Sequence, residues 1–133
     1  MNYAALIQNR KSVREFRDEV VPFRLLDRVK EHYHNYLHRL VPQIGTELYF
    51  FGTDAREALE GAAGYHKFLV GAPQYLVLLS EDHPQAGLNA GFIMEDLILK
   101  LTDLGLDSCW VTFTDSELVK EVLGVDSDLQ VAA

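Results

Sequence analysis

Cysteine and long apolar runs are nearly missing from the sequence, and each absence excludes a class of protein. The single cysteine, Cys109, cannot form an internal disulfide and favours a reducing, cytoplasmic location. No apolar run approaches the roughly 18 residues of a candidate membrane span. Residues 1–17 also lack the order of basic, apolar and small residues that is typical of a signal peptide. We therefore predict a cytoplasmic protein with no membrane partner.

Basic residues are scarce relative to acidic ones. The 12 Lys and Arg residues are outnumbered by 20 Asp and Glu residues, which gives a formal net charge of −8. That charge would repel a nucleic-acid backbone, so we predict no nucleic-acid partner, and any anion-binding site has to be local. The length of 133 residues and the hydrophobic fraction of 48% are typical of a globular chain, and we predict one domain over residues 1–133.

Hydrophobic periodicity predicts both helices and strands along the chain. Helices are predicted for residues 2–9, 22–40, 54–59, 86–104 and 116–123, and strands for residues 46–51, 73–80, 108–113 and 129–133. The strand at 73–80 is apolar almost throughout, which indicates cover on both of its faces. Because the sequence ends within the last predicted strand, we also expect the domain to be incomplete at its C-terminus.

The predicted helix at 86–104 is apolar around most of its circumference. Its narrow polar stripe consists of Asn89, Asp96, Lys100 and Asp103, and Asp96 and Lys100 are spaced for an ion pair. A helix of this kind is buried on several sides. In so small a domain a second subunit would supply part of that cover, so we predict a dimer. The alternative is a helix that is central to its own monomer.

A short basic segment, residues 10–14, follows the first predicted helix. Side chains of an extended chain alternate between two faces, so Arg10, Ser12 and Arg14 are expected on the same side. Two guanidinium groups and one hydroxyl on one side suit a phosphate group, and Lys11 adds a further donor. The alternative is a solvated run of charges, because further charged residues follow directly.

Histidine and cysteine often bind metals or act in catalysis, but here we predict structural roles for both. His34 and His38 are one helical turn apart with Glu31 on the same face, a spacing that can bind zinc. A protease-type motif needs a glutamate where Asn35 stands, so we predict a solvated polar face and no metal site. We predict that Cys109 is a small core residue rather than a nucleophile.

The glycine-rich stretch at 61–64 matches neither a phosphate-binding loop nor a dinucleotide fingerprint. Tyr65 and His66 beside it could line a pocket, although a hinge is the favoured interpretation. The sequence offers no Ser-His-Asp arrangement, and we therefore assign no catalytic side chain.

Four segments of the sequence, taken in their order along the chain, indicate a protein family. They are IQNRKSVREF at 7–16, GAPQYLVLLSE at 71–81, AGFIMEDLILKLTDLGLDSCWVTF at 90–113 and VLGVDSDLQVAA at 122–133. Together they resemble the nitroreductase family of FMN-dependent enzymes, in which an Arg-x-Ser-x-Arg/Lys stretch follows the first helix and a long helix precedes the strand beside the flavin. The resemblance implies an α+β fold with a central, mostly antiparallel sheet flanked by helices, and a homodimer.

The resemblance also implies a cofactor, a reaction and a set of site residues. Arg10, Lys11, Ser12 and Arg14 match the positions that hold the FMN phosphate and ribityl chain. Trp110, Val111, Thr112 and Phe113 match the segment beside the isoalloxazine ring. The implied reaction is that of an oxidoreductase: NADH or NADPH reduces the flavin, and a small-molecule acceptor such as a nitroaromatic or a quinone then oxidises it.

Two features of the family pattern are missing from this sequence. A Pro-Ser-x-x-Asn-x-Gln-Pro-Trp segment of the family corresponds here to residues 41–48, in which only Pro42 is recognisable. The family's next strand, a basic residue for the FMN phosphate and an arm that embraces the partner subunit are not found in the sequence. The alternative function is therefore a non-catalytic dimerising or flavin-binding module with the same fold.

Overall fold

The computed structural model of the protein describes residues 1–64 and 69–133. The helices are α1 (Tyr3–Asn9), α2 (Phe23–His34), α3 (Ala55–Leu59), α4 (Ala86–Asp103) and α5 (Ser116–Leu123), with a 3-10 helix at Tyr36–His38. The strands are β1 (Thr46–Phe51), β2 (Tyr75–Ser80) and β3 (Gln130–Val131). Tyr65 and His66 lie outside the described residues. None of the helices in the described ranges has the length and apolarity needed to cross a bilayer.

The central strand of the sheet is β2, and the strand order is β1-β2-β3. β1 pairs with β2 in antiparallel fashion along its whole length. β3, which is shorter than predicted, pairs with the end of β2, where Val131 lies opposite Leu79 in an antiparallel register. Helices pack on this sheet from both sides. The predicted α+β fold with an antiparallel sheet is therefore confirmed.

Alternate residues of β2 point into two separate hydrophobic cores. On one face, Leu79 belongs to a core that includes Leu59 of α3 and Val119 of α5. On the other face, Leu78 belongs to a core that includes residues of α2 and α4, such as Ile93. Leu78 and Leu79 have no exposed surface, which confirms the prediction that this strand is covered on both faces.

α4 buries most of its apolar side chains within the monomer. Ala90, Ile93 and Leu97 are each only 1% exposed, whereas Leu88 and Phe92 are 67% and 44% exposed. The last two residues are four positions apart and therefore lie on the same face of the helix. The predicted dimer, which would cover this face, stays a prediction.

The prediction of an ion pair between Asp96 and Lys100 is wrong. Lys100 Nζ instead lies 3.3 Å from Asp103 Oδ2. Asp96 is buried and bonds to residues of α1, α2 and the 3-10 helix. A buried carboxylate requires partners that satisfy its charge and hydrogen bonds, and here neighbouring elements supply them.

The helix predicted at 22–40 ends at His34, six residues before the predicted end. Asn35 has an extended backbone with φ −81° and ψ 109°, and its side-chain oxygen accepts a hydrogen bond from the N–H of Leu37 at 3.1 Å. Asparagine competes with the helix through such local hydrogen bonds. The break takes His38 out of the predicted solvated face and places it against Asp96 of α4.

The strand predicted at 108–113 forms no regular ladder. Ser108 makes a single parallel bridge to Ser12, and Phe113 makes a single antiparallel bridge to Ala63. Each end of the segment thus pairs with a loop rather than with a neighbouring strand, which explains why the pairing does not extend along the segment.

Candidate functional site

The predicted anion-binding segment begins where α1 ends. Arg10 caps the C-terminus of α1 with φ −66° and ψ 136°, and its N–H donates to the carbonyl of Leu6 at 2.8 Å. The chain therefore leaves the helix in an extended conformation, which is the condition for the predicted alternation of side chains.

The Arg10 guanidinium lies against Ser12 and forms what we call the Arg10 corner. Its Nη1 donates to Ser12 Oγ at 3.3 Å, whereas Nε and Nη2 are buried and have no acceptor among the described residues. A guanidinium keeps its charge in proteins, and an unpaired buried donor costs about 1–3 kcal/mol. The corner therefore holds two donors without an acceptor, and an anion that displaces the atoms covering them would accept hydrogen bonds from both nitrogens.

The bridge between Ser12 and Ser108 brings the two predicted site segments side by side. The N–H of Val13 donates to the Ser108 carbonyl at 3.0 Å. The side chains of Lys11 and Arg14 are exposed. The structure thus joins the segments at this bridge and leaves these two basic side chains at the surface.

Side chains alternate along residues 110–113 even though the segment is not a regular strand. Trp110 and Thr112 are exposed, whereas Val111 and Phe113 pack against the core on the α5 side of the sheet. Two side chains of the segment therefore anchor it, and the other two are accessible to a ligand.

Further contacts hold the backbone of this segment in place. Trp110 Nε1 donates to Glu95 Oε2 of α4 at 3.3 Å. The carbonyl of Thr112 accepts a hydrogen bond from the N–H of Gly64 at 2.7 Å. The Cys109 thiol is partly buried and lies 3.4 Å from the Trp110 carbonyl.

A cavity of about 560 Å³ adjoins the second segment. Its lining is mainly apolar and includes Phe16, Met94, Trp110 and Val111, but none of the four predicted phosphate-binding residues. Its volume lies within the roughly 300–1,000 Å³ that is usual for small-molecule sites. Ser108 of the Ser12–Ser108 bridge lines the cavity, whereas the residues of the Arg10 corner do not.

Sequence reasoning missed a second polar cluster, formed by His32, His38 and Asp96. Asp96 Oδ2 lies 2.6 Å from His32 Nε2 and 3.0 Å from His38 Nδ1. The Tyr3 hydroxyl donates to the other carboxylate oxygen, Oδ1, at 2.8 Å. A signal was present, because a carboxylate on a mostly apolar helix needs buried partners. The sequence pattern did not show which residues would supply them.

Burial changes the pKa values of His32, which belongs to this cluster, and of Tyr3, which contacts it. Burial lowers the pKa of His32 from its ordinary value of 6.5, although the Asp96 carboxylate opposes that shift. Burial, together with the Asp96 carboxylate, raises the pKa of Tyr3 to about 12. The Tyr3 hydroxyl therefore stays protonated at neutral pH and remains a hydrogen-bond donor.

Comparison with protein families decides which fold family this arrangement represents. Residues 2–130 match a family model described as "Putative TM nitroreductase". The chain belongs to this nitroreductase family. The resemblance seen in the four sequence segments is thereby confirmed. A search of curated proteins gives no significant match.

Solved nitroreductase structures share the fold over almost the whole chain. A nitroreductase family protein from Clostridium novyi NT is 17% identical with a TM-score of 0.80, over 98% of this chain and 80% of that one. A nitroreductase from Desulfovibrio desulfuricans in complex with FMN is 17% identical with a TM-score of 0.76. The match covers 99% of this chain and 82% of that one. A mutant of an FMN- and NADPH-dependent nitroreductase from Sphigopyxis sp. strain HMH is 18% identical with a TM-score of 0.70. The match covers 98% of this chain and 84% of that one. At these identities the likeness establishes the fold.

Proposed function

We propose that this nitroreductase family member is an FMN-dependent enzyme that passes electrons from NADH or NADPH to a small acceptor, such as a nitroaromatic or a quinone. The observation that carries the proposal is the Arg10 corner, where two buried guanidinium nitrogens have no acceptor among the described residues. Family membership supports an oxidoreductase. Among the structural relatives, one is in complex with FMN and another is named as dependent on FMN and NADPH.

The residues of the Arg10 corner fit the phosphate of FMN. Two guanidinium nitrogens can donate to two phosphate oxygens, which is the bidentate geometry that arginine favours. The Ser12 hydroxyl, which already contacts Arg10 Nη1, adds a donor. The exposed Lys11 and Arg14 add positive charge nearby, which offsets the repulsion that a chain of net charge −8 exerts on an anion.

Residues 110–113 would lie beside the flavin ring in this proposal. Trp110 and Thr112 have the exposed side chains of the segment, so ring contacts would come from these two residues and from the backbone. Val111 and Phe113 would hold the segment in place through their packing in the core. Bound FMN supplies the electron-transfer chemistry, and the chain needs to bind it, orient it and exclude water.

A homodimer and a cytoplasmic location are part of the proposal. Exposed apolar side chains on α4, Leu88 and Phe92, offer a surface that a second copy could cover. Trp110, which is 42% exposed, is tied to the same helix through Glu95. The single cysteine supports a reducing location.

Titration of flavin-free protein with FMN, followed by flavin fluorescence, tests the phosphate role of Arg10. Arg10→Ala is expected to weaken FMN binding about 10- to 100-fold, because a charge-assisted hydrogen bond of about 1.5–3 kcal/mol is lost. Arg24→Ala removes an exposed arginine of α2 and serves as the matched control with unchanged affinity. Equal affinity of the Arg10→Ala variant and the wild type would reject this role.

Reduction of the bound cofactor separates the enzyme from the alternative function. Bleaching of the yellow holoprotein by NADH or NADPH, followed by recovery of colour when an acceptor is added, supports the oxidoreductase. A holoprotein that binds FMN but keeps its colour with both nucleotides supports the flavin-binding module. A protein that stays colourless with added FMN supports the dimerising module.

A further inference from the structure

Two histidines and one aspartate converge at the junction of three helical elements. His32 belongs to α2, His38 to the 3-10 helix and Asp96 to α4. One oxygen, Asp96 Oδ2, lies within hydrogen-bond distance of a ring nitrogen from each histidine. The three potential ligand atoms all lie within 4.8 Å of one another. Such a set of nitrogen and oxygen donors is typical of a transition-metal site.

Both histidine side chains place a ring nitrogen next to the same carboxylate oxygen of Asp96. The rings of His32 and His38 stack with their centroids 3.9 Å apart and an angle of 27° between their planes. In this arrangement His32 Nε2 and His38 Nδ1 both lie within hydrogen-bond distance of Asp96 Oδ2. Tyr3 occupies Asp96 Oδ1, so the carboxylate presents Oδ2 to the two histidines. A hydroxyl that orients a ligand carboxylate in this way is a common partner of metal ligands.

The distances can accommodate a metal after a small adjustment. Zinc bonds to imidazole nitrogen and carboxylate oxygen are about 2.0–2.2 Å long, so two ligand atoms in a tetrahedral site are about 3.3 Å apart. The observed distances from Asp96 Oδ2 are 2.6 Å to His32 and 3.0 Å to His38. Each would have to lengthen by less than about 1 Å, which side-chain rotation can provide. Without a metal, hydrogen bonds hold the same groups together.

The cluster supplies one negative charge for a cation, and the positive charge of Lys100 is offset by a carboxylate partner of its own. The Asp96 carboxylate supplies one negative charge at the centre of the cluster. Lys100 carries a positive charge near His32, but its ammonium group is paired with Asp103 at 3.3 Å. A divalent ion would therefore meet one carboxylate and two imidazoles, and the Lys100 ammonium group is paired with Asp103.

We propose that His32, His38 and Asp96 bind a divalent transition metal, with Zn²⁺ as the best-matched ion, and that this site joins α1, α2 and α4. Three protein ligands leave a fourth position for water or a small anion. Tyr3 supports the site as a positioning residue and brings α1 into the junction. His34, whose spacing from His38 was interpreted as part of a solvated face, is exposed on α2 and lies outside the cluster. The proposed metal site does not depend on flavin binding.

Calorimetric titration of the full chain with ZnCl₂, after removal of any affinity tag, tests the site. We expect one Zn²⁺ per chain for the wild type and a rise in its melting temperature. His32→Ala and His38→Ala should each weaken binding by at least about 100-fold, because each removes a direct ligand. Tyr3→Phe should weaken binding about 10- to 100-fold, as the loss of a partner of a ligand does. His34→Ala, two residues from His32, is the matched control with unchanged affinity.

Thermal melts of the metal-free variants show whether each one folds. If His32→Ala does not melt cooperatively, His38→Ala decides the question, because His38 lies on the short 3-10 helix and is partly exposed. Failure of the wild type to bind one Zn²⁺ per chain would overturn the proposal. So would an equal loss of affinity in His34→Ala and in the folded cluster variants, and either result would identify the cluster as a hydrogen-bonded junction only.

Discussion

A single buried amide on α4 holds the loop that leads into β1. Asn89 has no exposed surface, and its Oδ1 accepts a hydrogen bond from the N–H of Val41 at 2.9 Å. Asn89→Ala is expected to lower the free energy of unfolding by about 1 kcal/mol, because the partly buried N–H of Val41 loses its partner while removal of the unpaired Asn89 Nδ2 offsets part of that loss. Urea denaturation measures this change. Asn9→Ala at an exposed position is the control, with an expected change below about 0.5 kcal/mol. Similar effects of the two substitutions would contradict the role of Asn89.

Site residues were predictable where a local rule connects them. Arg10 and Ser12 lie on one side of an extended chain, and their hydrogen bond follows from that short spacing. His32 and Asp96 are 64 positions apart and meet through the packing of α2 on α4. Periodicity along the chain reports which face of each helix is buried, but it does not report which polar groups meet there. The histidine cluster therefore could not be predicted from the pattern.

At the scale of elements, α5 ends in a turn that requires an unusual backbone. Gly124 has φ +67° and ψ 29°, and its N–H donates to the carbonyl of Glu121. Gly124→Ala is expected to reduce the free energy of unfolding by about 1 kcal/mol, because a Cβ is disfavoured in the left-handed region. Gly124→Asn should lose less, since asparagine tolerates this conformation better. Urea denaturation compares the two, and a smaller loss for alanine than for asparagine would contradict this explanation.

Elements with a long, consistent pattern were predicted well. The nearly continuous apolar run of β2 and the long apolar helix α4 are present close to their predicted bounds. The predicted end of α2 was wrong because a single side chain, that of Asn35, ends the helix by accepting a local hydrogen bond. The length of β3 depends on its pairing with a distant strand and on the loop before it, which Lys120 holds through the carbonyls of Ser127 and Leu129. Such contacts between separate parts of the chain are not visible in local periodicity.

At the scale of the whole molecule, the uncovered face of α4 leads to a prediction about assembly. We expect the 15.1 kDa chain to elute as a dimer in size-exclusion chromatography with light scattering. Phe92→Asp should produce a monomer, because it places a charge on the apolar face that the partner would cover. Leu118→Asp changes a residue of similar exposure on α5, on the opposite side of the sheet, and should leave the dimer intact. A monomeric wild type, or equal disruption by both variants, would contradict this prediction.

The overall fold was predictable because several segments of the family pattern occur in the right order. Those segments include β2, α4 and the approach to β3. The Arg10 corner follows α1 directly. The bridge between Ser12 and Ser108 is what joins the two predicted site segments. The cavity beside Trp110 could not be predicted, because its shape depends on packing among residues from many parts of the chain.

The affinity of the flavin-free protein for FMN tests the central claim most directly. We expect saturable binding of one FMN per chain, an affinity about 10- to 100-fold weaker in Arg10→Ala, and no change in Arg24→Ala. This result would identify the buried guanidinium as the anchor of the cofactor phosphate. Equal affinity of Arg10→Ala and the wild type, or a wild type that binds no FMN, would contradict the claim.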